Sequence, residues 1–261
     1  MGRTPGLGGI KQRQMNIETI LTPAELPGLG HRDLRRSACV VFDILRATST
    51  FVTALQNGAQ AVVPVGEITE AVARRRQQPA VLLAGERDGV RIRAAQSGGV
   101  DFDLGNSPRE FRPEKVRGKV IVSTTTNGTR ALRACAGANL VIAGSFLNLA
   151  ATAKFLNQTP PVELLLVCAG TGEGVALEDV LAAGALAGLV GGDYSDSTAM
   201  AVRTFLSAQA DLPAALAGSQ NARRLLTIPE LHADVPFCAQ RDVFRLVAVM
   251  DGTGSIHKGP C

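Results

Sequence analysis

Four short stretches of the chain combine residue types that phosphate chemistry uses. The first, Asp43-Ile44-Leu45-Arg46-Ala47-Thr48-Ser49-Thr50, brings an acid, a base and three hydroxyls together where an apolar run gives way to helical spacing. A helix N-terminus offers free amide donors and the positive end of a dipole, which suits a phosphate. Asp43 could hold a metal, attack phosphorus or orient water; alternatively, Asp43 and Arg46 form an ion pair and Thr48 caps the helix. The second, Gly85-Glu86-Arg87-Asp88-Gly89, sets three charged residues between two glycines, as a site or as a solvated loop. The third, Ser123-Thr124-Thr125-Thr126-Asn127-Gly128-Thr129-Arg130, places five hydroxyls around an Asn-Gly pair. Gly128 permits a positive φ, so successive amides can converge on an anion, and Arg130 adds charge on the first helical turn. A plain loop rarely needs this density of small donors, so Thr125, Thr126, Asn127, Gly128, Thr129 and Arg130 are read as a phosphate cradle.

The fourth stretch, Ala169-Gly170-Thr171-Gly172-Glu173-Gly174, lets a backbone approach a ligand closely, with Thr171 at its centre, and leads into Leu177-Glu178-Asp179. Those two acids either complement the dipole of the following helix, worth ~0.5 kcal/mol, or point back as hard-metal ligands. Between the second and third stretches, Phe102-Asp103-Leu104-Gly105-Asn106-Ser107-Pro108 holds turn formers and a Ser-Pro helix entry, making Asn106 and Ser107 candidate binding residues and Ser107 a candidate cap. There is no HExxH, and His31, His232 and His257 are isolated, which argues against zinc. No GxSxG elbow or Walker loop occurs, and Asp43-Ile44-Leu45 lacks the second acid of a DxD motif. Carboxylates, arginines and Thr/Asn/Gly turns fit Mg²⁺-assisted phosphate chemistry best.

These turns need a scaffold that brings them to one edge. Short apolar runs at 39–42, 61–65, 81–84, 120–122, 140–143, 164–168 and 244–249 read as strands, with a first strand opening at Met15. Helical spacing covers 47–57, 69–76, 128–134, 147–156, 177–190, 197–208 and 221–225. Continuous apolar strands alternating with helices predict an α/β fold, a mainly parallel or mixed sheet with both faces covered. Ligands gather outside the C-terminal strand ends of such sheets, where the turns after Phe42, Ala84, Val122 and Cys168 lie.

The 261 residues suit one large α/β domain or two intimately packed halves; residues 1–14, Gly-rich and basic without periodicity, read as a disordered or non-native extension before a domain at 15–261. The net charge of +4 owes much to Arg3, Lys11 and Arg13, and aromatic residues make up only 4%. With neither a basic stripe nor stacking residues, nucleic acid is not expected as a partner. No apolar stretch spans a membrane and no secretory h-region opens the chain. Five cysteines without a CxxC pair are expected as buried thiols in the cytoplasm. A homo-oligomer stays open.

The same turns resemble the signature blocks of the 2-phosphosulfolactate phosphatase family. The similarity runs in order through Val41–Thr50, Leu83–Arg87, Phe102–Pro108, Ser123–Ala131, Cys168–Thr171 with Leu177–Asp179, and a tail block from Asn221-Ala222-Arg223-Arg224-Leu225 to Asp234-Val235-Pro236-Phe237-Cys238-Ala239-Gln240. It implies a three-layer α/β/α fold and Mg²⁺-dependent hydrolysis of 2-phospho-3-sulfolactate to 3-sulfolactate and phosphate, a step that serves coenzyme M biosynthesis in methanogens. On that basis Asp43, Glu86 and Glu178 or Asp179 are expected at the metal, and the 125–129 turn at the phosphoryl group. Thr48, Asn106, Ser107 and Thr171 are further binding candidates. Arg46 or Arg130 would neutralise its oxygens, and Arg87 would face the other charges of a small anionic phosphate ester. The run 88–101, with two extra arginines and a Gly pair, departs from the family pattern. A phosphatase of another small ester, or a metabolite binder without turnover, are the alternatives.

Overall fold

The computed structural model describes residues 15–260; the reading of residues 1–14 lies outside them. Eleven strands form one mixed sheet: β1 (Asn16–Ile20), β2 (Ser37–Phe42), β3 (Ala61–Pro64), β4 (Leu82–Arg87), β5 (Val90–Arg91), β6 (Val120–Thr124), β7 (Leu140–Gly144), β8 (Glu163–Cys168), β9 (Asp193–Tyr194), β10 (Ala248–Met250) and β11 (Ile256–Lys258). Their order is β5-β4-β6-β3-β11-β10-β7-β2-β8-β1-β9. One parallel block comprises β4, β6 and β3, and another comprises β7, β2, β8, β1 and β9. The antiparallel pair β10–β11 joins them, β10 lying against β7 and β11 against β3. Expected as a single strand at 244–249, this part of the chain is a hairpin whose Asp251 accepts the backbone N–H groups of Thr253 and Ser255.

The helices that matter to the site are α1 (Ala47–Gln56), α2 (Ile68–Gln77), α3 (Gly128–Ala134), α4 (Leu149–Gln158), α5 (Leu177–Val190), α6 (Asp196–Ala208) and α7 (Gln220–Leu226). Each crossover helix follows a strand, as the alternation of apolar runs and helical spacing predicts, and the sheet is flanked by helices on both faces. Strand periodicity divides the interior. In β2, Val40 and Phe42 face the α4, α5 and α6 side, while Cys39 and Val41 face a second core. That second core is common to both blocks, since Val62 and Ile121 join it together with Leu165, Val167 and the apolar face of α1. A third, smaller core packs Leu83 and Val122 against Ala71 and Val72 of α2. Cys39, Cys135, Cys168 and Cys238 are buried free thiols. Among the described residues no helix is long and apolar enough to cross a membrane.

Strand β4 runs further than its apolar stretch predicts, through Glu86 and Arg87. The reason is the Asp88-Gly89 pair, whose φ values of 55° and 78° form a two-residue hairpin turn into β5. Asp-Gly favours this turn because both central residues need φ above zero. The three charges between the glycines are therefore a hairpin tip rather than a simple strand-to-helix turn.

Candidate active site

The four turns meet at one cleft of about 210 Å³, lined by Asp43, Leu45 and Arg46, by Glu86, Asp88 and Gly89, by Thr126 and Asn127, and by Gly170, Thr171 and Gly172. Asn106 joins from the 102–108 loop, and Asn221, Arg224 and Leu225 from α7. Four strands (β3, β11, β10, β7) separate β2 from β6. In a flat sheet their ends would stand about 24 Å apart at the usual spacing. Yet a Cβ placed on Gly128 would lie 2.6 Å from both Asp43 Oδ2 and the Cβ of Ala47. The two blocks are thus coiled toward each other over their common core, consistent with the handed twist of sheets. Gly128 does not adopt the positive φ expected of it; it is the second residue type in an Asn-Gly pair that must be small, because it opens α3 directly against Asp43.

Most polar side chains of the turns are engaged in holding the turns. Glu86 accepts the backbone N–H and the hydroxyl of Thr126 on one oxygen (2.9 and 3.0 Å) and the Gly89 N–H on the other (2.7 Å). Asp179 accepts the Ile44 N–H at 2.8 Å and the Gly170 N–H at 3.0 Å, locking the first turn to the fourth. Asn127 Nδ2 donates to the carbonyls of Ala169 and Gly172, both at 2.8 Å. Thr48 Oγ1 bonds both the amide and the carbonyl of Asp43, so it braces the turn. Thr125 and Thr129 bond each other around the start of α3 and stay buried.

The arginines differ from expectation. Arg46 does not pair with Asp43: Nη1 donates to Asp234 at 3.0 Å and Nη2 to the Gly89 carbonyl at 2.7 Å, with both members of the ion pair buried. Ser107 makes no cap bond and donates instead to the other oxygen of Asp234 at 2.6 Å. Arg87 is turned to the Glu86 carbonyl and the Thr124 hydroxyl, and does not line the cleft. Arg130 is exposed and paired with Glu173 at 2.5 Å, also away from the lining. In the place expected of these two stands Arg224, together with Asn221. Both lie in the tail block, three positions apart on one helix face, a spacing visible in the sequence once α7 is granted.

Beneath the cleft lies an acidic group. Glu178 Oε1 is reached by Asn221 Nδ2 at 3.3 Å, while its Oε2 is buried with no hydrogen-bond partner among the described residues. Asn106 Oδ1, at the cleft wall, is likewise unpartnered. Burial pushes the Asp43 carboxyl up to about 6, and the negative charges of Glu86 and Glu178 add to this, against the Ala47 N–H that Asp43 accepts. Burial also raises Glu178, and raises Asp179 well above the carboxylate range with help from Glu178 and Asp43. Like charges held together out of water in this way call for a cation. Among the described residues no group of three acidic, His or Cys side chains is already arranged to hold a metal ion. Glu86 and Asp179 spend both oxygens on protein donors, leaving Asp43 and Glu178 as the acids with capacity to spare. That donor set fits Mg²⁺, which keeps several waters and is held by one or two carboxylates plus substrate phosphate.

Comparison with known proteins agrees with this architecture. A family model described as 2-phosphosulpholactate phosphatase matches residues 21–253. A protein of Thermotoga petrophila named "Probable 2-phosphosulfolactate phosphatase" is 42% identical over 212 residues, covering 81% of this chain and 88% of its own. A protein of the same name from Thermotoga maritima is 40% identical over 223 residues (85% and 92%), and one from Thermosynechococcus vestitus is 34% identical over 244 residues (89% and 95%).

Proposed function

The chain belongs to the 2-phosphosulfolactate phosphatase family, and on that premise we propose that it hydrolyses 2-phospho-3-sulfolactate to 3-sulfolactate and phosphate in this cleft, with Mg²⁺. The observation that carries the proposal is the buried acid group at the strand ends, with Asp43 pushed up to about 6 and one oxygen of Glu178 unpartnered among the described residues. Asp43 and Glu178 would hold the ion. When bound, Mg²⁺ supplies positive charge to the phosphate oxygens and so lowers the cost of gathering anions here.

The protein's own groups divide the remaining work. Asp43 also faces the water that attacks phosphorus and accepts its proton. The new P–O bond forms as the ester bond breaks; the departing alkoxide takes a proton from water to give the alcohol, and Asp43 returns the one it accepted to solvent. Thr171 offers its hydroxyl to the phosphoryl group, in a cleft whose two loops are immobilised by Glu86, Asn127 and Asp179. Fixed donors of this kind stabilise developing charge without reorganising. Arg46, neutralised largely by Asp234, holds the hairpin tip in place and adds a partial positive field. Buried free thiols are in keeping with a reducing compartment, and we place the protein in the cytoplasm.

The direct test is phosphate release from 2-phosphosulfolactate by the purified protein, with Mg²⁺ and with EDTA, alongside Asp43→Asn. Release that needs Mg²⁺ and Asp43 is expected. A folded protein that releases no phosphate from this ester but turns over others would move the assignment to a different small phosphate ester. Binding without any turnover would make it a metabolite-binding relative.

A further inference from the structure

Two arginines line the cleft, and only one is committed to the protein. Arg46 is tied to Asp234 and to the Gly89 carbonyl. The guanidinium of Arg224 has neither an ion pair nor a hydrogen bond to any of the described residues. It lies across the hairpin tip, its Nη2 only 2.6 Å from where a Cβ on Gly89 would sit, so the absent side chain at position 89 is what makes room for it. The anchoring of α7 sets its distance from the acids. Asn221, on the same face, donates to Glu178 Oε1 and, at 2.6 Å, to the Leu45 carbonyl. Three residues of helix rise place Arg224 about 4.5 Å further along the axis, past the acid group and toward the tip of the β4–β5 hairpin.

A ligand whose phosphate sits at Asp43 therefore meets a free, fork-shaped cation beside it. We infer that Arg224 receives the non-reacting oxyanion of the substrate, the sulfonate of 2-phosphosulfolactate, and so is the specificity-determining residue of the cleft. The inference rests on the function proposed above for the identity of that oxyanion. Planar guanidinium matches a sulfonate or carboxylate through two parallel donors, which a Lys ammonium cannot do. The segment 88–101 reaches the cleft through Asp88 and Gly89: the glycine shapes the seat, and Arg224 fills it.

The test compares three phosphate esters on wild-type protein, Arg224→Gln and Arg224→Lys: 2-phosphosulfolactate, 2-phospholactate, which lacks the sulfonate, and p-nitrophenyl phosphate, which lacks both extra anions. In Arg224→Gln the ratio of kcat/KM for 2-phosphosulfolactate to that for p-nitrophenyl phosphate should fall about 10- to 100-fold, the scale of one lost charge-assisted contact. Most of that fall should be in KM, and Arg224→Lys should recover part of it. If 2-phospholactate falls little, the oxyanion held is the sulfonate, as inferred; if it falls as far as 2-phosphosulfolactate, Arg224 holds the carboxylate and the assignment to the sulfonate is overturned. A ratio unchanged within about threefold, or an equal loss on all three esters, overturns the inference. Failure of the proposed function looks different: wild-type protein would not turn over 2-phosphosulfolactate at all. The readout then becomes calorimetric binding of 3-sulfolactate, where loss of binding in Arg224→Gln supports the role of Arg224, and equal or absent binding in both proteins overturns it.

Discussion

Each oxygen of Asp234 has a donor, Arg46 Nη1 on one and Ser107 Oγ on the other, with Arg109 3.8 Å from the latter oxygen. Glu178 is buried just as deeply, yet has one oxygen with no donor among the described residues and two acids, Asp43 and Asp179, for neighbours. The two groups border one cleft and are built on opposite principles. In the first, opposite charges neutralise each other inside the protein, and the result fastens the hairpin tip and the 102–108 loop to α1. In the second, like charges are gathered and left short of partners, which costs stability unless something from solution completes the set. A cleft of this kind separates its scaffold from its chemistry by charge balance, and the same side-chain types serve both.

The contrast can be broken at several points. Asp43→Asn should lower kcat for phosphate release by about 10²- to 10⁴-fold, the range for a lost general base, with the circular dichroism spectrum unchanged. Asp234→Ala should act on stability instead, since it strands Arg46 at 3% exposure; breaking a buried pair costs roughly 3–5 kcal/mol, readable by urea unfolding. Glu178→Gln should have the opposite sign in EDTA. Removing a charge from the acid group raises the melting temperature by a few degrees, about 1 kcal/mol in a domain of this size, and it abolishes the further rise that Mg²⁺ gives wild-type protein.

The pH dependence sharpens the same point. Because the folded state holds the Asp43 proton up to about 6, against an ordinary value near 3.8, the native protein binds more protons than the unfolded chain between those values. Stability from this group is thus present at low pH and lost as pH rises through 6. In EDTA the melting temperature of Asp43→Asn relative to wild type should climb between pH 4 and 6.5, and a flat difference would contradict the acid-group reading. The smallest effect belongs to Arg130→Ala. Its exposed pair with Glu173 should be worth under about 0.5 kcal/mol, and kcat/KM should hold.

Much of the fold was legible because the central parallel strands are continuous apolar runs and each crossover helix carries its own spacing. The strand ends at Phe42 and Cys168 were found for that reason, and the strand expected to end at Val122 runs two residues further, to Thr124. The β10–β11 hairpin was not, since strands of three residues are too short to show a period, and nothing local says that the C-terminal hairpin joins the two blocks. At the site, positions were easier to read than contacts. Glu86, Asp179 and Asn127 stand where their turns predict, but their hydrogen bonds run to backbone groups on neighbouring loops.

Burial pattern, turn chemistry and the order of the blocks follow from short-range sequence, because a strand end, an Asp-Gly turn or a helix start depends on residues within a few positions. That much determined the class of fold, the four turns and the family. Which arginine stays free depended on partners 188 positions apart in the case of Arg46 and Asp234, and on the coiling that brings Gly128 against Asp43. Charge compensation is a property of distance in space, so only the tertiary structure decided that Arg46 is spent and that Arg224 is not.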